Sequence, residues 1–509
     1  MELQQQILQQ GHGFAVYPAV KIFDEKTDGE KIKWTHLKNL LFGDFIRVLK
    51  DNDTFIEKIV KNETYIKVRS RNCTGYILKS KIRPDRILEV NFIDVGQGDG
   101  CHVVTPDDQH YIIDAGGSDN MLRFLKWRFN TKRSQSAPPV FNAVISHPDS
   151  DHYLGFGQLF KKQTDRTQQF SFKNIYHSAL VQREGAHELG ATIQEGDINY
   201  ITELVITDQQ MKAHLNNMGE GSLHERTLKK ALDQHENVNF SAAVRGNINQ
   251  PEYLLNTPEL KMEILGPLTE VVQNQRTLRY FKAKTGNTDN VGRTKNGHSV
   301  VIKLVMGHVR VLLGGDLNPP AEDFLLQRYS GIDIGTLRKQ IQNATNASQK
   351  KALQDQMNAA IDSAKKHFQV DFAKCCHHGS SDFTSEFLQA VNPLATVISS
   401  GDDEPHCHPR PDTLGTIGKY SRGERSYIFS TELMRSSKEF IKIKDLDPKK
   451  EKERIVTVYG MINLRTDGQK VIIAQKLERP RGTQTWDIHQ FEWNDQLNTI
   501  ERVETGSGS

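Results

Sequence analysis

Between residues 14 and 88 apolar positions tend to alternate with polar ones in short runs, broken by Asp-Asn-Asp and Arg-Asn-Cys turns. Phe45-Ile-Arg-Val-Leu49, Tyr65-Ile-Lys-Val-Arg69 and Thr74-Gly-Tyr-Ile-Leu78 read as strands, with Phe14 to Phe23 alternating more loosely. A period of two sets Ile66 and Val68 inward and Lys67 and Arg69 outward. A small β domain over 14–88 is therefore expected, followed by a larger domain over 89–505. In the larger domain Leu88 to Ile93 runs into a Gly-rich turn ending at Gly100. Cys101 to Val104 and His110 to Ala115 follow as strands, Met121 to Arg128 as a helix, and Ala143 to Ile145 as the end of a buried strand.

Residues 159–295 are polar and lack a sustained period, so they read as an insertion, with helices expected near 184–194, 208–216 and 222–235. Strand pattern returns at His298 to Leu304 and Val309 to Asp316, a hairpin turned at Gly307-His308. Residues 320–368 form a second expected insertion, helical, with Leu353, Met357, Ile361, Ala364 and Phe368 on one face. That stripe fits a packing face; an oligomer contact or a lid would show the same spacing. Strands are expected at Val370 to Cys376 and Ala395 to Ser400, then a hairpin from Val456 to Leu477 and a strand around Trp486 to Trp493.

Several strands end in metal-ligand residue types. Ile145 is followed by Ser146-His-Pro-Asp-Ser-Asp-His152, four imidazole and carboxylate groups within six residues. Val309 to Leu313 leads to Asp316, and Val370 to Cys376 leads to His377 and His378. Strand ends on one rim lie close in space whatever their separation in sequence. Composition narrows the picture only a little. Net charge is +3 and charged residues make up 25%, as in a globular protein. Five cysteines without a Cys-x-x-Cys pair suit a reducing, cytoplasmic compartment rather than a disulfide framework. The N-terminal residues show no secretory signal pattern, and no run approaches the ~18 apolar residues of a membrane helix. From Lys58 to Arg86 there are nine Lys/Arg against two acids, a solvated face or a surface for nucleic acid or an acidic protein partner.

Taken together, Phe92-Ile-Asp-Val-Gly-Gln-Gly-Asp99, Ile112-Ile-Asp-Ala-Gly116, Ser146 to His152, Leu313-Gly-Gly-Asp316, His377-His-Gly-Ser380 and His408-Pro-Arg-Pro411 resemble the metallo-β-lactamase superfamily, in particular the hydrolase domain of ComEC-type competence proteins. The closing strand and turn of the first domain, Gly75 to Ile82, resemble bacterial SH3-like barrels. The resemblance implies an αββα sandwich holding two divalent metal ions, Zn or Mn, at one edge; a count of one stays open. His147 and Asp149 would serve the first ion and Asp151 and His152 the second. Asp316 would bridge, and His378, or alternatively His377, would complete the second site. His298 is the candidate for the remaining first-site ligand, and His177, at the end of an expected strand Phe172 to Tyr176, its rival. Asp94 and Asp114 would orient ligands and the loop, or serve as structural turn carboxylates. Most of the superfamily has histidine where this chain has Asp149, a change shared by the ComEC-like branch that makes the first site harder and would either favour Mn over Zn or weaken that site.

Two close ions would hold a bridging hydroxide as nucleophile and offset phosphoryl charge, so no protein nucleophile is needed. Asp151 could orient the water or take a proton, and His408 could protonate the leaving oxygen. Gly379, Ser380 and Ser381 could offer backbone N–H and hydroxyl groups to phosphate. The expected function is a metal-dependent phosphodiesterase, foremost a nuclease on DNA, in DNA processing or phage defence. A metallohydrolase of a small substrate, such as a cyclic nucleotide, phosphoester or lactone, is the alternative.

Overall fold

A computed structural model describes residues 2–503 except 29–30, 71–72, 132–136, 163–168, 236, 402–405, 433–436, 445–450, 459 and 482–483. The chain is a mixed α/β protein. Among the described residues no helix is long and apolar enough to cross a membrane.

Lys50–Asp51 pairs with Thr54–Phe55 apart from the rest, and eight of the strands between His12 and Arg83 build a sheet of their own. Its core joins Ala15, Val20, Ile22, Leu40, Ile46, Ile66, Val68 and Ile77. Ile66 and Val68 are buried and Arg69 is exposed, the alternation the sequence requires. The helix Glu2–Gln10 was not legible: it is glutamine-rich, and only Ile7 reaches the core.

Two larger sheets make the rest. The first has ten strands, in the order Asn239–Ala242, Ser171–His177, Val140–Ile145, His110–Ala115, Gly100–Val104, Leu88–Ile93, Met461–Thr466, Lys470–Arg481, Gln484–Asn494 and Thr499–Arg502. The second has seven: Glu252–Asn256, Lys261–Gly266, Val301–Met306, Val309–Leu313, Phe372–Lys374, Ala395–Ile398 and Tyr427–Ser430. Val90, Phe92, Val103, Ile113 and Val144 of the first share one apolar core with Ile302, Leu304, Val311, Phe372 and Val397 of the second. The other face of the first sheet packs on the helices Asn120–Arg128 and Leu223–Gln234 through Phe124, Leu125 and Leu228. The other face of the second packs on Pro319–Ser330, Ala347–Phe368 and Ser385–Val391. With both faces covered, strands such as Leu88–Ile93 are buried at every position.

This arrangement corrects the reading of both insertions. Within 159–295, Ser171–His177 and Asn239–Ala242 extend the first sheet in parallel, and Glu252–Asn256 and Lys261–Gly266 extend the second. The strand expected at Phe172 to Tyr176 is present as Ser171–His177, and it pairs with a register shift beside Phe141 and Asn142. The helix expected at 184–194 is absent; turns lead there into the strand Thr192–Glu195 of a separate four-stranded sheet. Asp208–Asn217 and Leu223–Gln234 are helices, each started by a capping box. Residues 320–368 belong to the helical layer of the second sheet. Met357, Ile361, Ala364 and Phe368 are buried against it, so this stripe is a packing face.

Candidate metal centre

Parallel pairing puts the carboxyl ends of His110–Ala115 and Val140–Ile145 side by side, and likewise those of Val309–Leu313, Phe372–Lys374 and Ala395–Ile398. The residues just past these ends meet between the two sheets. They carry His147, Asp316, His378 and Ser399, and Asp114 stands beside them at the end of its strand.

Three histidines turn the same nitrogen inward. His147, His152 and His378 are buried, and none of their Nε2 atoms makes a hydrogen bond; Asp316 Oδ1 is equally unpartnered. Their Nδ1 atoms are fixed from behind. His152 Nδ1 meets Asp114 Oδ2 at 2.8 Å, and Ser146 donates to the same carboxylate through its N–H (2.8 Å) and Oγ (2.6 Å). His147 Nδ1 lies 3.0 Å from Ser146 Oγ and 3.3 Å from Ser299 Oγ. His378 Nδ1 lies 3.1 Å from Ser399 O and 3.1 Å from Asp99 Oδ1. Anchored Nδ1 and convergent, unsatisfied Nε2 is the arrangement of metal-ligating imidazoles. Around them, Asp316 Oδ2 is 3.1 Å from His378 Nε2 and 3.3 Å from His152 Nε2, and Asp151 Oδ2 is 3.5 Å from His378 Nε2. The sets His147, His152, Asp316 and Asp151, His152, His378 each place their ligand atoms within 4.8 Å of one another. These residues could hold a metal ion.

Charge in this pocket is balanced internally. Burial lowers the pKa of His152, but Asp316, Asp114 and Asp151 outweigh it and hold it well above the usual value. Burial likewise opposes the charged form of His378, yet Asp316 and Asp151 raise it to about 9. Burial would raise Asp316; His378 and His152 hold it well below the carboxylate range. A metal ion displaces the protons these imidazoles would otherwise carry.

Other expected site residues are placed differently. Among the described residues no close ligand group contains Asp149. Its Oδ1 is ion-paired with Lys295, and the Asn296 amide nitrogen, in the orientation that satisfies both its ends, donates to Oδ2 at 2.7 Å. His298 does not join the centre: it caps the helix Val291–Gly297, its Nε2 lies 2.8 Å from Arg279 O, and its ring packs on Phe281. His177 is buried with both nitrogens unpartnered but belongs to no ligand group. Burial pushes its pKa down to about 4. His377 lies 4.0 Å from Asp316 but joins no ligand group, so His378 is the member of the pair within the cluster. Both adopt positive φ, 49° and 53°. Asp114 orients His152, whereas Asp94 accepts from Gly96 N–H (3.2 Å) and braces the loop. Ser380 is unsuited to cradling phosphate through its backbone, because its N–H donates to His377 O (2.7 Å). Gly379, at φ 80°, lies against Pro409 and accepts from Arg410 N–H. The His408 ring is 6.2 Å from that of His378, at the rim.

The sequence reading assigned no role to Lys374, Asp99, Lys295 or Ser299. Buried Lys374 is ion-paired with Asp99 and donates to Gly315 O (3.1 Å). Ser299 Oγ accepts from Asp316 N–H (3.0 Å), fixing the carboxylate's backbone. Asp99 alone had a signal, since it closes the Gly-rich stretch after the first long strand.

Two structural predictions arise here. Gly98 has φ 101°, and a Cβ added there would stand 1.8 Å from Asp151 O. Gly98→Ala should displace Asp151, weakening metal affinity at least about tenfold in a competition titration. Glu322 is buried and accepts from Thr384 N–H; burial first, opposed by the Thr384 hydrogen bonds, raises its carboxyl to about 8. An acid raised in the fold binds more protons folded than unfolded, so its presence destabilises increasingly from pH ~4.5 to 8. Glu322→Gln should therefore melt on the order of 2–4 °C above wild type at pH 9 and gain little at pH 4.5. An advantage constant across that window in a thermal melt would contradict the assignment.

No family model matches the chain, and no curated protein matches it.

Proposed function

We propose that the protein is a metal-dependent phosphodiesterase acting on nucleic acid, DNA foremost, and that its two packed sheets with outer helices are an αββα sandwich of the metallo-β-lactamase type, preceded by an SH3-like barrel. One observation carries the reading: three buried imidazoles with anchored Nδ1 atoms turn unsatisfied Nε2 atoms toward Asp316 and Asp151. Asp151, His152, His378 and Asp316, with His147, would hold the metal. A divalent ion bound there supplies Lewis acidity, making water a usable nucleophile at neutral pH and offsetting charge on a phosphoryl oxygen.

The chain's own groups do the rest. Asp151 is partly exposed, unlike the buried histidines, so it can orient an attacking water and take its proton. His408, at the rim, is the group assigned to protonate the leaving oxygen. Lys295 lends fixed positive charge beside His147. In the first domain the half-buried Trp34 and Tyr65 pack on the buried Tyr76 ring, with Lys67 6.0 Å from that ring's centre and Lys58 paired with Glu25, a patch where aromatic and cationic groups adjoin, the combination that single strands use. Single- and double-stranded DNA, RNA and a bis-aryl phosphodiester, each with Mn²⁺ or Zn²⁺, test the reading. Nucleic-acid cleavage abolished by chelator is expected. Turnover of the small ester with no nucleic acid cut would replace it with a small-substrate hydrolase.

A further inference from the structure

We infer that the centre takes a single divalent ion, and that the ammonium of Lys295 occupies and neutralises the place of a second. The inference rests on the metal-dependent reading above. On one side of the pocket, Asp151, His152 and His378 stand together with Asp316, none of them tied to a side-chain cation from outside the cluster at hydrogen-bonding distance. On the other side, His147 joins a ligand group only with His152 and Asp316, the residues that the first side already uses. Its neighbour Asp149, 3.6 Å from His147 Nε2, spends one oxygen on Lys295 and the other on Asn296. The histidine that could complete that side, His298, is turned to Arg279 O, and His177 lies in no ligand group.

Lys295 is held in place. It sits on the helix Val291–Gly297, its side chain is only 12% exposed, and Nζ donates also to Gln182 Oε1 at 3.3 Å. An ammonium seated on Asp149 opposes a divalent ion at the same carboxylate on two counts. It removes the ligand, and it repels the incoming charge over a few ångströms in a poorly solvated pocket. The pocket then presents one metal ion and one fixed ammonium instead of two ions, and the ammonium faces the same substrate charge that a second ion would face.

Metal content decides this, measured by elemental analysis and calorimetric titration with Mn²⁺ and with Zn²⁺ on the full chain. Wild type should bind one ion. Lys295→Arg keeps the charge and should also bind one. Lys295→Met should bind the first ion with affinity changed less than about threefold and gain a second event at least about tenfold weaker. Two ions in wild type, or a single ion in a folded Lys295→Met with no second event up to millimolar metal, would overturn the inference. No ion in any of the three would instead sink the metal-dependent reading beneath it.

Discussion

Asp316→Ala should abolish both metal binding and hydrolysis, with activity lowered by at least about 10³-fold. Asp316 is the carboxylate shared by His152 and His378, at 3.3 and 3.1 Å, and its backbone is fixed by Ser299. Outer partners of metal ligands cost about 10–100-fold when removed, and a ligand that also joins two imidazoles should cost more. The metal-free protein should suffer as well. His152 and His378 owe much of their favoured charge to Asp316, and removing one partner of a buried pair costs roughly 3–5 kcal/mol. Asp316→Asn keeps the shape but loses the charge, and should recover stability better than metal affinity. Urea unfolding with and without chelator, beside a metal titration, separates the two effects. Unchanged metal affinity in Asp316→Ala would contradict the placement of the ion.

The largest effect on stability away from the centre is expected at Arg465. This buried guanidinium donates to Phe42 O (2.8 Å) and Asp44 Oδ1 (2.7 Å) of the first domain and lies 3.4 Å from Glu89 Oε1 of the first large sheet. Glu89 also meets Arg128 at 2.8 Å, and Asp44 Oδ2 accepts from Leu41 N–H at 2.9 Å. Arg465→Ala leaves Asp44 buried without this cation and breaks the buried one of the polar ties between the domains, which also include Arg83 with Asp467, so roughly 3–5 kcal/mol should be lost. Lysine carries the charge but lacks the fork that reaches two carboxylates, so Arg465→Lys should restore only part. A loss under about 1 kcal/mol in equilibrium unfolding would show that the buried guanidinium adds little to the tie between the two domains.

What was legible in the sequence follows from geometry. His147, Asp149, Asp151 and His152 stood out because four ligand types crowd one strand end, and Asp316 and His378 because they too follow apolar strands. Asp149 could be named but not placed: its partner Lys295 comes from a short helix far along the chain, in a stretch without sustained periodicity. His298 misled for a related reason, since spacing from Asp316 carries no information about a ring turned by a helix cap toward Arg279. The insertions were misjudged because a strand such as Phe172 to Tyr176 can be read without its partner: the pairing with Val140–Ile145 runs through a register shift and an Asn174–Asn142 bond of 2.8 Å, which no period announces. Conversely, Ile66 and Val68, and the stripe from Met357 to Phe368, could be read because regular periods survive there.

The most direct test of the metal-dependent centre is hydrolysis of a bis-aryl phosphodiester and of single-stranded DNA by wild type and Asp151→Ala, with the bound metal measured in the same samples. Wild type should hold metal and cleave, chelator should stop it, and Asp151→Ala should lose activity by at least about 10²-fold together with metal affinity. Full activity in Asp151→Ala, or activity of wild type undiminished after the metal is stripped, would contradict the account.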